Sequence, residues 1–178
     1  MRKTILIGFV LCSLVLAGAA PGNEKRGPST PEERQRFLTI VHRMEQAPLD
    51  KGLKKDREWA LRLLIEIPDV SVSICLAPLG DAMHEKYKYE PEIFGQFTLS
   101  MGAFLFEHPE KTKDLDAQFL AGVESALKAY KAILESKPEA KSTGLDQLLE
   151  KQKQGSLEAF VHEANQTGCK SRIDRSGS

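Results

Sequence analysis

Two cysteines outside the N-terminal apolar run, Cys75 and Cys169, carry the strongest chemical signal in this sequence. No C-x-x-C spacing accompanies them, so a redox-active dithiol is not expected. In an oxidising compartment two such cysteines pair as a structural disulfide. The bridge would close about 95 residues and stabilise the fold by roughly 4–5 kcal/mol on chain-entropy arithmetic.

The four histidines form the second set: His42, His84, His108 and His162. Three of them adjoin a glutamate, as His84-Glu85, Glu107-His108 and His162-Glu163. Imidazole and carboxylate are ligands for zinc and similar ions. Adjacent residues on a helix diverge, however, and no H-x3-H or H-E-x-x-H spacing sets two ligands on one face. A metal site would need His84, His108 and His162 to converge through the fold; no metal or other cofactor is expected. The stretch His84 to Pro91 also mixes aromatic and charged residues. His84, Glu85, Tyr87 and Tyr89 make it a candidate binding loop, because loops carry recognition more often than helices do.

Signals for catalysis are missing. The chain has no G-x-S-x-G elbow, phosphate-cradling glycine loop or dinucleotide fingerprint. Carboxylates are abundant, and nothing singles out a pair for acid–base work. The charge balance excludes another class. Basic and acidic residues number 25 each, without the basic stripe of a nucleic-acid binder. An Asn165-Gln166-Thr167 sequon is present, relevant only in a host that glycosylates exported proteins.

Where such a chain works is written at its N-terminus. Arg2 and Lys3 precede an apolar run from Ile5 to about Ala17, followed by Gly18, Ala19 and Ala20. This is the pattern of a signal peptide over residues 1–19, cleaved after Ala19. The expected product is periplasmic or secreted. It has no transmembrane segment after cleavage, since the apolar run falls short of the roughly 20 residues a span needs. Residues 20–30 read as a flexible leader, 31–169 as one helical domain and 170–178 as a disordered tail.

Helical periodicity dominates the domain. Thr30-Pro31-Glu32-Glu33 combines a cap, a first-turn proline and a capping-box glutamate. Phe37, Ile40, Val41 and Met44 then follow at helical spacing, up to Pro48. A second helix over about 53–67 carries Ala60, Leu63, Leu64 and Ile67. Asp69 to Cys75 alternates apolar and polar residues, yet no other segment offers a partner strand, so an extended crossing or an irregular helix is expected. A short helix near 79–86 comes next. Residues 91–107 are apolar on nearly every side and predict a buried central helix. A long amphipathic helix ends near Glu135, and shorter ones cover about 143–153 and 156–166, the last closed by Gly168.

Within the long helix, Ala126, Tyr130 and Pro138 resemble the second helix of a tetratricopeptide repeat over about 13 residues. The preceding helix lacks the other repeat positions and no second copy follows, so no family is assigned. The expectation is therefore an all-α single domain of six to seven helices around the helix at 91–107, stapled by one disulfide. Its expected role is a non-catalytic binding or accessory module whose partner is another envelope or secreted protein. The alternative is a small apolar ligand held between the helices by Phe94, Phe97, Met101 and Phe104.

Overall fold

The computed structural model describes residues 26–84 and 86–170. The expected signal peptide over residues 1–19, residues 20–25 of the expected leader, Glu85 of the candidate loop and residues 171–178 of the expected tail lie outside the described residues. The chain is all-helical, with no strand among the described residues.

Helix α1 spans Pro31–Gln46. It starts where the capping box places it. The Thr30 hydroxyl accepts from the Glu33 N–H at 3.2 Å, and the Thr30 N–H donates to the Glu33 carboxylate at 2.9 Å. Phe37, Ile40, Val41 and Met44 are all buried. The residues just before it are bonded to the helical domain. The Ser29 N–H and hydroxyl both donate to Asp69, at 2.9 and 2.6 Å, and Arg26 pairs with Glu33. A capped helix start with a partner across the chain fixes its own approach segment.

A 3-10 turn, Lys51–Leu53, leads into α2, Lys54–Glu66. From Ile67 to Leu76 the chain is extended or irregular. The predicted short helix at 79–86 is instead a 3-10 segment, Ala77–Met83, broken at Gly80. Gly80 has φ 55° and ψ −140°, a reversal that glycine adopts without a Cβ clash and that no helix contains.

Helix α3, Glu90–Glu107, is the central helix. Ile93, Phe97 and Met101 join one core cluster; Leu99, Ala103 and Leu105 join the other. The first cluster is completed by α4 (Leu115–Ser136), α5 (Thr143–Lys153) and α6 (Leu157–Ala164), the second by α1 and α2. Beside these apolar side chains the helix buries three polar ones, Gln96, Thr98 and Ser100. The last helix also differs from expectation. It does not stop at Gly168 but widens into a π-helical turn over Asn165–Lys170. A Cβ on Gly168 would lie 2.5 Å from the Ala77 Cβ, so this glycine serves close approach rather than termination. Among the described residues, no helix is long and apolar enough to cross a membrane.

Candidate functional site

Cys75 and Cys169 are bonded, with Cα atoms 5.8 Å apart, inside the range an unstrained bridge requires. The bond joins the end of the extended run to the π turn. Cys169 is buried in the α4–α6 cluster, and Cys75 is half-buried against it.

The extended run forms one wall of an apolar surface groove of about 640 Å³. Leu61, Leu64 and Ile65 of α2 and Phe94 and Thr98 of α3 line it as well. Of its lining residues, Ile65 is 83% exposed and Ile74 55%. Isolated exposed apolar residues are ordinary, but two exposed isoleucines lining one apolar groove make a patch. The run between them has a second property. The backbone of residues 70–75 makes no hydrogen bond to any described residue. The Thr98 hydroxyl is likewise buried without a partner among the described residues.

Asp69 anchors the start of this wall. Burial would raise its carboxyl, but bonds from the Ser29 hydroxyl and N–H, together with nearby Arg34, outweigh that and hold it below the ordinary carboxylate value. The Arg34 guanidinium reaches the carboxylate at 3.1 Å and the Ser29 hydroxyl at 2.7 Å.

The four aromatic and methionine positions proposed for an interior ligand do not share a cavity. Phe97 and Met101 are fully buried, with Phe97 stacked on Phe119 at 6.3 Å between ring centroids. Phe104 sits on the other core cluster and meets His108 at 4.7 Å. Phe94 alone of the four lines the groove. Pattern reasoning grouped them because α3 is apolar all round, while packing splits its faces between two clusters.

The candidate loop is tied to the core. The Tyr87 hydroxyl donates to the Ala140 carbonyl at 3.1 Å, and its ring meets Tyr89 and Tyr130 edge-on. Burial, reinforced by the neighbouring Tyr130 and Tyr89, raises the Tyr87 phenol well above its ordinary value. The adjoining depression is small, about 280 Å³, and His84 is exposed at the end of the 3-10 segment.

The other histidines go to separate carboxylates. His108 lies 3.7 Å from Glu110, and the His162 Nδ1 lies 2.7 Å from an Asp116 oxygen. Among the described residues no group of three or more histidine, cysteine or acidic side chains is placed to hold a metal ion. Asp116 also accepts from the Asn165 amide at 2.5 Å. A histidine oriented by a carboxylate is the base half of a nucleophilic dyad. The surrounding cleft, however, is lined by Lys111, Asp114, Ala117, Leu120, Gly155, Glu158 and Ala159, with no hydroxyl or thiol to activate. Asp116 therefore joins α4 to α6 and the π turn. The same bond occupies the amide that the sequon would present for glycosylation, and Asn165 is buried.

A polar cluster that the sequence reading missed lies under α3. The Gln96 amide donates to the Ser125 hydroxyl at 2.7 Å and to the Val41 carbonyl at 3.2 Å. Ser100 and Ser125 share a hydrogen bond of 2.6 Å, and Ser125 donates to Glu45 at 2.5 Å. Lys128 reaches the same Glu45 oxygen at 3.3 Å. Ser100 and Ser125 are buried at the α3–α4 contact, so this network fixes how the helices of the two clusters register rather than offering a site. No family model matches this chain, and no curated protein or solved structure is similar to it.

Proposed function

We propose that this protein is an exported, non-catalytic binding module whose groove between α2, residues 67–74 and α3 takes an extended apolar stretch of another polypeptide. The observation that carries this reading is an apolar groove lined by exposed Ile65 and Ile74 together with a run, residues 70–75, whose backbone makes no hydrogen bond to any described residue. A small apolar molecule would use the side chains and leave the backbone of 70–75 unanswered. An extended peptide uses both: its main chain pairs with the wall while alternate side chains enter the groove. Export rests on the N-terminal charge, apolar run and small residues, together with a disulfide suited to an oxidising compartment.

The test is selection from a random 12-residue peptide library on oxidised protein lacking residues 1–19, with Ile65→Asp as the counter-target. Enriched peptides should alternate apolar and polar residues, and N-methylation of their wall-facing amides should weaken binding. Enrichment that Ile65→Asp leaves unchanged refutes the groove. Binding of a fatty-acid probe that depends on Ile65, with no peptide enriched, transfers the groove to the small-ligand alternative.

A further inference from the structure

The groove wall is held at two places. At Asp69, Ser29 and Arg34 grip the carboxylate. At Cys75, the disulfide ties the wall to the π turn. Between them, Val70 is buried and Val72 half-buried, Ser71 and Ile74 face solvent, and the backbone makes no hydrogen bond to any described residue. Apart from the two anchors, side-chain packing alone holds this stretch, through Val70 in the α1–α2 cluster and Val72 against both clusters. The far side of the bond is firm, because Cys169 is buried and Gly168 sits directly on Ala77.

We propose that the Cys75–Cys169 disulfide is a latch on the groove: oxidised, it holds the wall in the binding geometry; reduced, it releases residues 70–76 and lowers affinity for an extended peptide while the helical core persists. This inference rests on the groove reading above. The reductant is a dithiol. Its thiolate attacks the half-buried Cys75 sulfur, forming a mixed disulfide and freeing Cys169 as a thiolate that takes up a proton. The second thiol of the reductant then displaces Cys75 and closes its own disulfide. Two electrons and two protons pass to the protein, and the dithiol is oxidised to a cyclic disulfide. Release acts through population. If the reduced wall occupies the competent geometry about one-tenth of the time, apparent affinity falls roughly tenfold.

The experiment compares oxidised protein, protein reduced with dithiothreitol and Cys75→Ser/Cys169→Ser. Each is titrated with one selected fluorescent peptide and examined by 15N relaxation across residues 70–76. The expected result is roughly tenfold weaker binding in both reduced forms, with lowered order parameters confined to 70–76 and the adjoining π turn. Equal affinity with unchanged order parameters overturns the latch. So does a fall in affinity accompanied by loss of helix or of dispersed α3 and α4 signals, because the bond is then global ballast rather than a latch. If oxidised Ile65→Asp binds the peptide as well as the parent does, the groove reading fails. The order parameters still decide the latch, since they need no ligand.

Discussion

Removing the disulfide by Cys75→Ala/Cys169→Ala should cost about 4–5 kcal/mol. The bridge spans a sequence separation of 94. A loop of that length loses roughly 16 cal/mol/K of denatured-state entropy when closed, or about 4.7 kcal/mol at 25 °C. A domain of this size has a total stability of about 5–15 kcal/mol, so the variant should remain folded at 25 °C but with little reserve. Its midpoint should fall by roughly 10–20 °C, at about 2–4 °C per kcal/mol. The loss should be uneven in space. Cys169 belongs to the α4–α6 cluster and Cys75 packs against that same cluster. Urea unfolding followed by Trp59 fluorescence and by far-UV circular dichroism measures the loss. Trp59 lies in the α1–α2 half, beneath the Arg36 guanidinium. The m-value should rise, because the unlinked unfolded chain exposes more surface. A loss below about 1 kcal/mol would refute the assignment of a denatured-state constraint to this bond.

Gly144→Ala should destabilise the fold by about 2–3 kcal/mol, since a Cβ there would lie 2.3 Å from the Ala82 nitrogen, and such overpacking exceeds the helix-propensity gain. Gly27→Ala, with nothing within 4 Å, should change stability by no more than about 0.5 kcal/mol, and thermal melts of both variants check the contrast. The Asp69 anchor should be pH-dependent. Its carboxyl is lowered in the folded state, so its contribution is fully present above the unfolded value near 4 and is lost as pH falls through the lowered folded value. Asp69→Asn should cost about 1–2 kcal/mol at pH 6, and that difference from the parent should shrink below about pH 4 in acid-dependent denaturation.

Periodicity and capping were enough to read α1, because its buried stripe is a function of spacing alone and Thr30-Pro31-Glu33 marks its start. The same holds for the buried face of α4. Three features depended on contacts that no local pattern encodes. Gly80 breaks the 77–83 segment through a backbone reversal, and a glycine in sequence gives no sign of which way the chain turns. Gly168 reads as a stop, yet it lies inside a π turn because Ala77 packs against it. The groove was hidden for another reason. The stripe Ala60, Leu63, Leu64 and Ile67 leaves Ile65 outside it, but periodicity does not show that Ile65 and the later residues 70–74 line one groove. Within α3 the apolar excess masked Gln96 and Ser100, which meet Ser125 from a helix 25 or more residues away.

The groove's dimensions also bear on the kind of partner it suits. Full burial of an isoleucine contributes about 1.5–3 kcal/mol, and Ile65 and Ile74 begin 83% and 55% exposed, so together they offer roughly 2–4 kcal/mol. Four main-chain hydrogen bonds along 70–75 would add about 0.5–1.5 kcal/mol each. Association and the ordering of a peptide cost at least about 4 kcal/mol. The balance corresponds to a dissociation constant in the micromolar range or weaker. Contacts of that strength are made and released readily, and a change of about tenfold in a weak affinity switches occupancy at ordinary concentrations. A tight groove would stay filled whether or not its wall were latched. The weakness expected of this one is what allows a single covalent bond at its edge to control it.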